Sequence, residues 1–298
     1  MNNSRYYLSA VSAFLIWGLF SLALRPIKQF PPLEILFYRI ITCLVLLVVL
    51  VFVFRKKSVS DTKNFLKNLS VTQRRSLILW NLLAGLLLTS NWFIFIYVMN
   101  FVSVKATSLA YLVCPILTAV LANLLLKEQM KKLQWVALLV GAIGCSMLAL
   151  GHFMDLLLSI LIAFSYALYL ILQKKNAGID SFVVLTLHVS IAVLALLPVL
   201  PFFEVGMPTE PKFYTFILII ATCFTIFPMF LSLYALKGIK SSTVGMLMNI
   251  NPIIAFALSV FHFNEEADAW QYAAYSVVFV SVVLFNIPAL IGRKEIAA

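Results

Sequence analysis

Residues 111–128 read YLVCPILTAVLANLLLKE, and residues 248–265 read MNINPIIAFALSVFHFNE. Each is an apolar stretch with a proline inside it and a glutamate just past its end. Pro115 and Pro252, Glu128 and Glu265, and Tyr97 and Tyr234 all stand at one offset, 137 positions. Ile116/Ile253 and Leu121/Leu258 fall at the same offset, but apolar identities carry little weight in so apolar a chain. The matching placement of the rare residues marks a duplicated membrane unit and points towards a transporter.

Working outward, the 298 residues are 63% hydrophobic and only 11% charged. Mean hydropathy is +1.04. A soluble protein cannot cover that much apolar surface with so few charges. Ten apolar runs are long enough to cross a bilayer, at roughly 6–24, 32–54, 76–98, 104–126, 133–151, 154–172, 181–203, 213–236, 241–262 and 269–291. The expected fold is therefore all-α and integral to the membrane, with ten transmembrane helices and no segment left over for a soluble domain. The first run does not read as a secretory signal, because it contains Trp17 and leads into nine more spans.

A net charge of +11 raises nucleic acid as a partner. The distribution of charge argues against it. With ten spans and a cytoplasmic N-terminus, seventeen Lys and Arg fall inside, seven of them in 55–75. Four fall outside: Arg25, Lys28, Lys105 and Lys212. Arg39 alone lies within a span. This split follows the positive-inside rule and puts both termini in the cytoplasm. The basic loop 55–75 reads first as a topology signal, with contact to anionic lipid the lesser reading.

The boundary between halves falls near His152–Asp155, giving units 1–152 and 153–298. Each half has five spans, so the second enters from the opposite face, and the duplication becomes an inverted repeat. A softer alignment at offset 149 pairs Trp17 with Tyr166 and Arg39 with His188. Two such halves share an interface near the bilayer middle, and rocking them alternates access to it.

Polar residues within the spans are the candidate substrate ligands. Arg39 lies about 12 Å along its helix from Pro31, where a charge must snorkel, pair or face water. Glu34 is five residues away, about 140° around the helix, so the two do not face each other. Tyr38 shares the face of Glu34. Asn91 and Trp92 suit a molecule part apolar and part polar. Tyr111 shares a helix face with Pro115 and Thr118. Asn249 and Asn251 precede Pro252. Pro115 and Pro252 are expected hinges or helix breaks. Trp17 and Tyr166 are mid-span aromatics that can close a cavity from opposite halves. His188 is the deep histidine. For each, ordinary packing or interhelical bonding competes with a ligand role.

Cys43, Cys114, Cys145 and Cys223 fall in spans without metal-ligand or CxxC spacing and read as core residues. His262, Glu265, Glu266 and Asp268 gather in one outer loop, and His152 and Asp155 in another, with no metal-motif spacing; a solvated loop is the favoured reading. No metal and no cofactor is expected. The chain lacks a P-loop, HExxH and GxSxG, so neither direct ATP use nor an enzyme is expected.

The runs FLIWG (14–18), PPLEILFYR (31–39) and NWFIFIYVMN (91–100), with Tyr111, Pro115 and the Leu-x-Glu ending at Glu128, resemble the RarD family of EamA-type transporters in the drug/metabolite transporter superfamily. The resemblance covers nearly the whole chain. It implies two inverted five-helix repeats around a central cavity, and export of a small metabolite or drug across a bacterial inner membrane. Cys114 stands where the family pattern has Asn, whereas the second half keeps Asn251 before its proline. The expected function is a secondary transporter working by alternating access, with a passive channel, facilitator or lipid scramblase as the alternative. Its partners are a small-molecule substrate and membrane lipids. Protons or a counter-substrate as the driving partner, and the oligomeric state, stay open.

Overall fold

The computed structural model describes residues 4–102, 104–150, 153–176, 178–198, 206–264 and 266–291. Glu265 and His152, singled out above, lie outside the described residues. The chain is helical throughout: α1 (Ser4–Gly18), α2 (Phe20–Leu24), α3 (Pro32–Val49), α4 (Lys56–Asn68), α5 (Val71–Phe101), α6 (Val104–Leu126), α7 (Lys132–Ala149), α8 (Phe153–Gln173), α9 (Ser181–Leu196), α10 (Pro211–Ala221), α11 (Phe227–Leu236), α12 (Ser241–Leu247), α13 (Ile250–Phe261) and α14 (Ala269–Ile291).

Among the described residues eight spans are long and apolar enough to cross a membrane, and α1 with Phe20–Ile27, bent by 40°, makes a ninth. The seventh expected span, 181–203, is represented by the 16 residues of α9; positions 199–205 lie outside the described residues. Many large apolar side chains face outward, as in a bundle solvated by lipid.

The packing is two-fold in pattern. α6 packs on α8, and their counterparts in chain order, α13 and α1, pack likewise. α5 packs on α8 and α9, while its counterpart, α10 with α11, packs on α1 and α3. α7 meets α14, α3 meets α9, and α6 meets α12, each joining a helix to its counterpart. The backbone repeats too. The non-glycine residues at positive φ are Lys127 (54°) and Asn264 (53°) among the described residues. They stand at the same offset as the two prolines, so both copies leave the proline-bearing helix through the same costly left-handed turn.

The α6–α12 crossing is close because Gly245 has no side chain. A Cβ there would lie 2.7 Å from Thr118 Cβ. The two prolines differ in effect. α6 runs unbroken through Pro115. The second copy is interrupted at Met248–Asn249. Pro252 has no N–H for the Met248 carbonyl, which accepts from Asn251 N instead at 3.1 Å.

Candidate substrate cavity

Arg39 sits two turns into α3. Its guanidinium carbon is 5.3 Å from the centroid of the Trp92 ring on α5. Nε is buried without a partner, and among the described residues Arg39 makes no hydrogen bond or ion pair. Tyr111 on α6 lies within its electrostatic reach. That tyrosine is 40% exposed although α8 and α12 flank its helix. Its ring is 5.4 Å from Phe95, and Tyr166 of α8 lies within its electrostatic reach. Arg39, Trp92, Tyr111 and Tyr166 thus form one neighbourhood drawn from α3, α5, α6 and α8. A guanidinium with free donors, set among aromatic faces, can hold an anionic or strongly accepting group beside an apolar one. Cys114 beneath Tyr111 is buried, and its carbonyl accepts from Thr118 Oγ1 at 2.8 Å.

Other expected ligands are engaged elsewhere. Asn91, 8% exposed, donates Nδ2 to the Ile162 carbonyl (2.9 Å) and to Ser165 Oγ (3.1 Å), tying α5 to α8. Trp17 donates Nε1 to the Phe224 carbonyl at 2.9 Å. That carbonyl is available because its helical donor four residues on would be Pro228, which has no N–H. Cys43 Sγ reaches the neighbouring Ala221 carbonyl at 3.6 Å. Tyr38 OH donates to the Gly206 carbonyl at 3.2 Å, and its ring meets Phe213 and Tyr214 edge-on. Glu34 accepts from Gly206 N at 2.8 Å, so it does not pair with Arg39. Cys223 is exposed, not a core residue as expected, because the π turn Thr222–Ile226 carries it to the outer surface. There it lines an apolar groove with Ile16, Leu19 and Phe227, away from Arg39.

His188 is fully buried, with Nε2 3.1 Å from Asn81 Oδ1 and its ring edge-on to Tyr169. Asn81 and Asn176 exchange hydrogen bonds at 2.8 and 3.0 Å, and Asn176 donates to Gln173 Oε1. This network joins α5, α8 and α9, and Tyr169, whose ring centroid is 5.6 Å from that of Tyr166, stands between His188 and the Arg39 neighbourhood. Asn249 is buried at the break before α13, with Oδ1 unpartnered. Asn251 follows it where α13 crosses α1 at Gly18.

At the basic end of the bundle, Glu128 accepts from Ser241 N (2.8 Å), Ser242 N (3.0 Å) and Ser242 Oγ (2.7 Å). Arg55 pairs with Asp180 at 2.9 Å. Lys174 Nζ donates to the Leu236 and Ile239 carbonyls at 2.6 and 2.5 Å. Burial pushes the Lys174 ammonium below its ordinary pKa, opposed by Glu128. Lys237 is lowered by burial too, opposed by Asp180. No three His, Cys, Asp or Glu side chains converge among the described residues. Sequence reasoning passed over Asn81, Asn176 and Gln173, although Asn81 within an apolar run was a visible signal.

The comparisons agree with this architecture. A solved crystal structure superposes with a TM-score of 0.73 at 14% identity, covering 98% of this chain and 99% of the other, which shows a shared fold. An uncharacterized transporter of Bacillus subtilis, YojE, is 30% identical over 280 residues, 93% of this chain and 92% of its own length. Protein RarD of Escherichia coli K12 is 26% identical over 292 residues, 97% and 96% of the two chains. The EamA-like transporter family profile matches residues 4–150 and again 153–287. The chain is a multi-pass membrane protein with bacterial relatives, a transporter and not an enzyme, and it belongs to the EamA-like transporter family.

Proposed function

We propose that the chain is a secondary transporter that exports a small organic metabolite or drug by alternating access. The two units are 1–152 and 153–298, inverted five-helix repeats with ten spans around a central cavity. Both termini lie in the cytoplasm of a bacterium, at the inner membrane. The inversion is supported by the odd number of spans per half, by the exchange-symmetric packing and by the paired left-handed turns at Lys127 and Asn264. Outward direction follows from the resemblance to the drug/metabolite transporters.

One observation carries the substrate site: the half-buried Arg39 side chain, its guanidinium over Trp92 and its Nε buried, with no bonded partner among the described residues. A cation inside a membrane protein needs compensation. In this reading the substrate supplies it, with a carboxylate or similar acceptor at Arg39 and an apolar or aromatic body against Trp92, Tyr111 and Tyr166. Trp17, Tyr38, Asn91 and His188 then hold the surrounding helices in register behind that site, Asn249 and Asn251 stand at the break beside Pro252, and Pro252, with the hydrogen bond missing at Pro115, provides the points about which the halves move. Protons or a counter-substrate supply the driving force.

The test is counterflow in proteoliposomes. A thermal-shift screen first selects solutes that raise the melting temperature, with and without a carboxylate. Labelled solute then enters preloaded vesicles; faster exchange with unlabelled solute on the far side marks a carrier. Conductance without such exchange points to a channel instead.

A further inference from the structure

We propose that α4 is a membrane-surface helix that binds the phosphate headgroups of anionic lipids through Lys56, Lys63 and Lys67. The helix reads KKSVSDTKNFLKN and has no fully buried residue. At 100° per residue, the three lysines fall within about 40° of one another. Phe65 lies on the opposite side of the helix. Its ring is held against Gly178, where a Cβ would come within 2.7 Å of it. That contact fixes the rotation of α4: Phe65 points into the protein, so the lysine stripe points away from it. Val59, Thr62 and Leu66, all half-buried, fill the sector between the two. The lysines are exposed, and none makes a hydrogen bond or ion pair among the described residues.

Depth follows from the flanks. The turn before α4 presents Phe52, Val53 and Phe54 outward, Phe54 being 75% exposed. The helix after it presents Val71, Ile78 and Leu79 in the same way. Side chains of this kind face outward on a membrane protein where acyl chains cover them. α4 joins these two lipid-facing surfaces, and the Arg55–Asp180 ion pair tethers its start. The stripe therefore sits just beyond the acyl chains, at headgroup level, where ammonium groups attract anionic lipid. Arg74 and Arg75, exposed in the first turns of α5, extend the same charge. The apolar neighbours on either flank favour lipid over a soluble polyanion. Lys57 differs: it lies about 100° round from Lys56, on the side away from the apolar sector.

The full chain is reconstituted in phosphatidylcholine vesicles with trace spin-labelled phosphatidylglycerol or phosphatidylcholine, and the ratio of association constants is read from the immobilised fraction. Phosphatidylglycerol is preferred by the wild type. K56Q, K63Q and K67Q each lower that preference by up to about fivefold, and the triple variant removes it, with unchanged melting temperatures. K57Q leaves it in place, and half-molar salt suppresses it. A triple variant that keeps the preference, or K57Q acting as strongly as K63Q, overturns the proposal. So does full displacement of the lipid by millimolar inorganic phosphate, which would make the stripe a general anion site.

Discussion

The Arg39 guanidinium lies over the Trp92 ring at 5.3 Å, and no carboxylate joins the pair among the described residues. A cation–π contact of this kind contributes on the order of 1 kcal/mol, far less than it costs to desolvate a charge. Function and stability should therefore separate here. Arg39→Ala is expected to lower counterflow at least tenfold while leaving the melting temperature unchanged or higher. Arg39→Lys should recover only part of the transport, because an ammonium lacks the planar fork. Normal transport in Arg39→Ala, or a large loss of stability without a transport defect, would make Arg39 a structural residue.

Asn91 is expected to behave in the opposite way. Its amide donates to the Ile162 carbonyl and Ser165 Oγ, and the pair is sealed between α5 and α8. Asn91→Ala should cost roughly 1–3 kcal/mol, the usual range for a lost buried hydrogen bond with an orphaned partner. A double-mutant cycle with Ser165→Ala, read by thermal unfolding in detergent, should give a clear coupling energy. A coupling near zero would return Asn91 to the list of substrate ligands.

The contrast between Arg39 and Asn91 shows what was legible in the chain. The apolar runs, the repeated prolines and the charge bias made the membrane class and the duplication readable, because each is a property of composition and spacing. Arg39 stood out for the same reason: a charge in an apolar run is conspicuous. Which polar residues are consumed by packing was not legible. Asn91, Trp17 and His188 find their partners at Ile162, Phe224 and Asn81, far away in sequence. The acceptor for Trp17 is freed by Pro228, a signal the sequence does carry, but which side chain reaches that carbonyl was not visible. The pairing of Pro115 with Pro252 likewise suggested equal breaks, yet only the second copy is interrupted.

Glu128 is the member of the repeat whose task the structure makes clear. Its carboxylate closes on Ser241 and Ser242 across the two halves. Lys127 makes this possible by turning the chain at φ 54°. Two outcomes follow. Lys127→Gly should raise stability by up to about 1 kcal/mol, because glycine adopts that turn without the strain of a side chain. Glu128→Ala should lower it by roughly 1–3 kcal/mol by orphaning the donors, and a cysteine placed near Ser242 should become faster to label. Unchanged labelling would mean that this contact holds the helices together without closing access.

Lys174 provides a pH signature at the same end. Burial lowers its pKa in the folded chain below the ordinary 10.5, so the folded protein gives up this proton before the unfolded chain does. In the window below 10.5 unfolding takes up a proton, and stability contributed by this group rises with pH. Below the folded-state value the ammonium is charged in both states, and its burial penalty is felt in full. The melting temperature of the wild type, compared with Lys174→Gln, should therefore gain ground as pH is raised from 8 towards 10.5. The comparison isolates Lys174 from the other lysines, which titrate alike in both proteins. A difference that is flat, or that shrinks with rising pH, would show that the carbonyls of Leu236 and Ile239 fully compensate the buried charge.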